Sequence, residues 1–238
     1  MNKPLRLSGS DKALAIHHRL CQVYGCPIPY FHDLDPLSEL VSALLSHRTR
    51  NADSGRAFKQ LRAAFSTWEA VRDGETAAVQ QAIAPCTWPE QKAPRVQQVL
   101  RQITERRGTL SLDFLAELPV PEARAWLEEL TGVGPKTSAA VLCFSALRRP
   151  ALPVDSHHHR VAQRTGLIGP KVAVGPSHAV LEAQLPQHWS AQQVYDNHEV
   201  LMLHGQKCCY YRNPACDRCA ILDLCPFGQK RSRSAEIG

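Results

Sequence analysis

The sequence predicts an all-helical protein, and three observations carry that reading. Apolar residues recur at three- and four-residue steps along most of the chain, no segment shows convincing strand alternation, and prolines and glycines punctuate the periodic stretches. Asp35-Pro36 reads as an N-cap with proline at the first helical position, after which Leu37, Leu40, Val41, Leu44 and Leu45 share one face. Residues 53–65 place Ala57, Leu61 and Phe65 at four-residue steps, and segments 95–106, 121–130, 177–185 and 190–203 read as further amphipathic helices. Residues 137–147 are apolar nearly all round, as a helix at the centre of a bundle must be. Connections are predicted at Pro27-Ile28-Pro29, Pro119-Val120-Pro121 and Gly175-Pro176, and the polar, basic tail from Gly228 is predicted to fray.

At 238 residues with 44% hydrophobic content, the chain suits one domain of fair size or two small ones. A net charge of +6 and eleven histidines favour a polyanionic partner without requiring one. Arg56, Lys59 and Arg62 recur at helical spacing, and Lys92, Arg95, Arg101, Arg106 and Arg107 load another segment. The first twenty residues have no apolar signal core, and the longest apolar run, Ala139 to Phe144, is far too short to span a membrane. The expected home of nine cysteines is therefore a reducing cytoplasm, including its nucleoid.

Cys209, Cys216, Cys219 and Cys225 are spaced C-x6-C-x2-C-x5-C. Four thiols in so short a stretch suggest iron–sulfur or zinc, and the long outer gaps suit a bulky cluster better than a two-knuckle zinc ribbon. Only Cys209, not Cys208, keeps the x6 gap.

Residues 130–138 read L-T-G-V-G-P-K-T-S between an acidic amphipathic segment and the apolar one. Gly132 and Gly134 allow a tight turn whose amides face outward at a helix N-terminus, a ready phosphate site, while Val133 packs inward. The pattern is that of a helix-hairpin-helix, which holds the DNA backbone without reading sequence. V-D-S-H, Val154 to His157, follows just beyond the second hairpin helix, and Asp155 also reads as an N-cap.

These stretches, with L-L-S-x-x-T at Leu44 to Thr49, resemble the endonuclease III family of DNA glycosylases along nearly the whole chain. The resemblance implies two helical lobes with a DNA site between them: a six-helix domain over 30–148, and a cluster domain built from 1–29 and 149–238. It turns the metal into a [4Fe-4S] cluster on Cys209, Cys216, Cys219 and Cys225, and makes Lys136 and Asp155 the catalytic pair. It implies a monomeric bifunctional glycosylase and abasic-site lyase acting on oxidised pyrimidines in damaged double-stranded DNA. Lys136 would attack the anomeric carbon and Asp155 would accept its proton. Arg48 and Trp88 match the side chains that fill the hole left by a flipped base, beside hairpin residues Gly132, Val133 and Gly134. Lys207, Arg212 and Arg218 would face DNA from the cysteine loop.

The chain departs from the family pattern at Arg48, where glutamine is usual, at Asn51, at Thr131, where proline is usual, and in a Lys136–Asp155 interval one residue longer. His157, His158 and His159 form a run suited to a helix surface, a base pocket or a phosphate contact. Two other classes of function therefore stand beside the enzyme: a damage-sensing DNA-binding protein without catalysis, and a zinc-bound DNA module.

Overall fold

A computed structural model describes residues 7 and 9–235, and every regular element among them is helical. The helices are α1 (Gly9–Tyr24), α2 (Pro36–Ser46), α3 (Asn51–Ala64), α4 (Trp68–Asp73), α5 (Thr76–Ala82), α6 (Pro89–Arg107), α7 (Val120–Glu128), α8 (Pro135–Phe144), α9 (Ser156–Thr165), α10 (Val174–Glu182), α11 (Ala191–Lys207) and α12 (Pro226–Ala235). The chain divides into two compact units: Phe31–Arg149, and the segment up to Tyr30 together with Pro150 onward.

In the central unit, Asp35 caps α2 by accepting from the amides of Leu37 and Ser38, with Pro36 at the first position. Leu40, Val41, Leu44 and Leu45 on α2 are fully or almost fully buried, and α2 packs on α8, whose residues Thr137–Cys143 are all buried. Burying each such leucine contributes about 1.5–3 kcal/mol. Gln97 on α6 ties down the corner between α4 and α5. Its amide donates to Val71 O (3.0 Å) and Gly74 O (2.6 Å), and its carbonyl accepts from Thr76 Oγ1 (2.7 Å).

In the split unit, α9 and α11 form the core with Val154, Val161, Ala162, Val200 and Leu201, and α1 adds Ile16 and Leu20. A Cβ on Gly205 would lie 2.8 Å from the Cβ of His157, so only glycine permits this helix approach. Arg160 on α9 seals the contact by donating to Gly205 O (2.7 Å) and Cys209 O (3.0 Å).

Several boundaries differ from the sequence reading. Helix α6 starts at Pro89, ahead of the predicted 95, because Pro94 forfeits only one backbone bond early in a long helix. Gly175-Pro176 lies in the first turn of α10, not in a connection, where a missing N–H costs nothing. Val120-Pro121 likewise opens α7. The short helices α4 and α5 escaped the periodicity reading because one or two turns carry too few apolar repeats. The tail does not fray at Gly228: α12 continues to Ala235, its start held by the Gly228 amide on Cys225 Sγ (3.4 Å) and by the Arg164 guanidinium over the Phe227 ring (4.5 Å). Cys21 and Cys26 are joined as a disulfide, a bond that the expected reducing environment did not include. No helix among the described residues is long and apolar enough to cross a membrane.

Candidate functional site

In the central unit the hairpin is built as its glycines require. Gly132 sits at φ +79°, and a Cβ there would come within 2.8 Å of the Arg95 side chain. Val133 is buried, and Gly134 occupies the N-cap position of α8 with no side chain capping it. Pro135 has no N–H and the Thr137 amide donates to Gly134 O (2.9 Å), so the amides of Gly134 and Lys136 are the ones this uncapped helix end would offer an anion. Thr131 has a structural use: its amide donates to Gln102 Oε1 (3.0 Å), a bond that proline could not make, and its Oγ1 accepts from Gln102 Nε2 (3.1 Å).

Lys136 is half-buried on the first turn of α8. Its ammonium acts electrostatically on two neighbours, Glu39 and His47. His47, whose Nε2 lies 3.0 Å from Thr137 Oγ1, is pushed down to about 4 by burial, reinforced by Lys136, Lys92 and Arg95. Glu39 is pushed up by burial, and His32 at 2.9 Å partly offsets this.

Arg48 and Trp88 are both exposed and both sit in the left-handed region, at φ +52° and +55°. Neither residue favours that backbone, which costs roughly 1–2 kcal/mol for a residue with a Cβ. A buried lysine holds the first of these loops: Lys92 Nζ donates to Leu45 O (2.6 Å), His47 O (2.7 Å) and Thr49 Oγ1 (2.7 Å). Thr49 Oγ1 also accepts from the Thr87 amide (3.1 Å), which ties the Arg48 loop to the Trp88 loop. The two wedge candidates are thus coupled by one threonine. In the sequence Lys92 is one of five cations loading its segment, and nothing local marks it as the anchor.

The split unit carries Asp155, the cysteine loop, Lys207 and Arg212, so Lys136 and Asp155 belong to different units. Asp155 caps α9, its Oδ1 accepting from the His158 amide at 2.7 Å. Glu199 on α11 lies near it and escaped the sequence reading, since one glutamate inside a helical pattern carries no signal. Burial, then Asp155 and Asp196, push its carboxyl up to about 7. The histidine run is not a uniform surface: His158 is fully buried beside the His198 ring, and burial drives it well below the ordinary histidine range. His157 pairs with Arg160 and His159 with Val172 O.

Cys209, Cys216, Cys219 and Cys225 line one cavity of about 340 Å³, counting space open to solvent, together with His204 and Cys208. Arg164 donates to Cys209 Sγ (3.2 Å), and burial pushes the Cys219 thiol up to about 12. Four soft sulfurs lining one cavity, with N–H donors on Cys209 and Cys225 among them, are the donor chemistry that an iron–sulfur cluster needs. Lys207 and Arg212 are exposed at the loop, whereas Arg218 turns back to donate to Lys207 O (3.1 Å).

These helices have the endonuclease III fold. They superpose on a trapped endonuclease III–DNA covalent intermediate with TM-score 0.78 and 23% identity, covering 95% of this chain and all of that one. A thermostable thymine-DNA glycosylase gives TM-score 0.75 and 20% identity, covering 92% of this chain and 97% of that one. Endonuclease III of Escherichia coli K12 is 30% identical over 219 residues, 92% of this chain and 97% of its own. That of Thermotoga maritima is 28% identical over 202 residues, covering 84% and 87%. Residues 41–190 match the profile of HhH-GPD superfamily base excision DNA repair proteins. The chain belongs to that superfamily, as an endonuclease III-like DNA glycosylase of base excision repair.

Proposed function

We propose that this protein is a bifunctional DNA N-glycosylase and abasic-site lyase that removes oxidised pyrimidines from duplex DNA. The observation that carries the reading is Lys136 on the first turn of an uncapped helix behind a glycine hairpin. The hairpin amides would hold a phosphate and so bring the lysine to the sugar. The attack requires a free amine there. Lys136 Nζ would attack the anomeric carbon and the bond to the base would break. Asp155 would take the lysine proton and stabilise the positive charge developing on the sugar. The base would leave with the bonding pair, the C1′–O4′ bond would then open to give the protonated Schiff base, and loss of a proton from the adjacent sugar carbon would expel the 3′ phosphate by β-elimination.

Arg48 and Trp88 would occupy the hole left by the flipped base, the arginine bonding the orphaned partner and the tryptophan stacking on a neighbour. Cys209, Cys216, Cys219 and Cys225 would hold a [4Fe-4S] cluster, which when bound fastens the loop that offers Lys207 and Arg212 to DNA.

Borohydride trapping on duplexes bearing thymine glycol or an abasic site tests this. Wild type is expected to form a covalent adduct that Lys136→Ala cannot form. Wild type that binds damaged duplex yet neither traps nor cleaves it would make the protein a damage sensor instead.

A further inference from the structure

The cysteine cavity has more donors than a four-cysteine cluster uses. Cys208 is 8% exposed and His204 3% exposed, and both line the cavity. One nitrogen of His204 and the sulfurs of Cys208 and Cys219 all lie within 4.8 Å of one another. His204 Nε2 is 3.5 Å from Cys219 Sγ. A tetrahedral zinc, with Zn–S of about 2.3 Å and Zn–N of about 2.0–2.1 Å, holds its nitrogen and sulfur ligands roughly 3.5 Å apart. The three atoms are therefore gathered at the scale of a single ion.

A second feature points the same way. The other ring nitrogen of His204, Nδ1, lies 3.3 Å from the Tyr24 hydroxyl on α1. A histidine that binds a metal through one nitrogen commonly gives its other N–H to such a partner, which fixes tautomer and ring plane. With Nδ1–H donating to Tyr24, the Nε2 lone pair faces the two sulfurs.

We propose that His204, Cys208 and Cys219 form a mononuclear site for a thiophilic divalent cation, zinc foremost, in the cluster-free protein. Two soft sulfurs and one imidazole are a zinc-type donor set, and two thiolates neutralise the ion. Binding forms three metal–ligand bonds and releases two thiol protons to solvent. Because Cys219 belongs to both sets, the ion and the cluster compete for one sulfur, and Cys208 serves only the ion. The site is independent of the glycosylase chemistry.

Anaerobic titration of the full-length, cluster-stripped chain with Co²⁺ tests the site. One ion per chain is expected, with sulfur-to-cobalt charge-transfer bands. Cys208→Ser and Cys208→Ala should lose most of that absorbance and bind far more weakly. Tyr24→Phe should weaken binding about tenfold, while Cys209→Ser and Cys225→Ser should bind as wild type does. Unchanged binding in both Cys208 variants overturns the proposal, as does loss of binding in Cys209→Ser and Cys225→Ser, which would put the ion on the quartet. In cluster-loaded protein, Cys208→Ser should leave visible absorbance and borohydride trapping unchanged. Failure of wild type to trap would therefore count against the glycosylase reading alone.

Discussion

The two units place their candidate chemistry on different physical supports. In the central unit, Arg48 and Trp88 are held at positive φ, and the support is polar: one buried lysine on three oxygens, and one threonine joining the two loops. In the split unit, the residue at positive φ within the cysteine loop is Asn213, a residue type that tolerates this backbone. Support there comes from helix caps and close packing, with Asp155 closing α9 and Gly205 admitting His157. A site held by strain depends on a few distant anchors. A site held by caps and packing depends on the residue types that lie within it.

The largest effect expected is at the cap. Asp155→Asn keeps a side-chain oxygen for the His158 amide, so α9 should be as stable as before. Base release should nevertheless slow on the order of 10²–10⁴-fold, because an amide neither accepts the lysine proton nor carries charge. Single-turnover base release beside thermal unfolding separates the two roles. A variant that unfolds early yet still turns over would leave Asp155 as a cap only.

Glu199 gives the same unit a pH signature. Its carboxyl is raised to about 7 in the folded protein, above the usual carboxylate value in the unfolded chain. The stability it contributes is thus fully present below about pH 4.3 and is lost as pH rises through 7. The loss should reach on the order of 3 kcal/mol, and Glu199→Gln should remove that slope from urea denaturation measured between pH 4.5 and 8. Parallel curves for wild type and variant would mean that the carboxyl titrates normally.

The sequence was legible where a feature is local. Asp35-Pro36, the hairpin glycines and the Asp155 cap each announce themselves within four residues, and the structure places each as a turn or cap. It was opaque where partners are far apart in the chain. Lys92 reaches back 47 residues to Leu45 O, and Thr131 reaches 29 residues to Gln102. His158 looked like one of three equivalent histidines until the packing of α9 on α11 buried it. Spacing selects Cys209 over Cys208 because it identifies a repeat of ligands, whereas the cavity gathers donors by proximity and includes Cys208.

The polar anchor of the central unit can be removed without disturbing its apolar core. Lys92→Met keeps the length of the stem but takes the ammonium from Leu45 O, His47 O and Thr49 Oγ1, leaving them the weaker Cys86 thiol, the Thr49 hydroxyl and the Thr87 amide. A lost hydrogen bond to a charged group costs about 1.5–3 kcal/mol, and the second donor that each oxygen keeps holds the sum near that range. A lower unfolding midpoint should accompany faster amide exchange at residues 47–50, since these are the residues the ammonium holds. Destabilisation with unchanged exchange there would show that Lys92 supports the core rather than the loop.

The smallest expected effect is also the one with opposite signs. At φ +52°, Arg48 carries a penalty that glycine does not, so Arg48→Gly should relieve roughly 1 kcal/mol of backbone strain. Glycine also gains freedom in the unfolded chain, which returns part of that gain. The net change in unfolding midpoint should therefore be slight and not downward. Base release should fall all the same, because the side chain that fills the stack is gone. Arg48→Ala keeps the strain and loses the same side chain, so it should be no more active than the glycine variant and less stable. If Arg48→Gly proves clearly less stable than Arg48→Ala, the left-handed backbone at 48 is not the strained element, and the loop owes its shape to Lys92 alone.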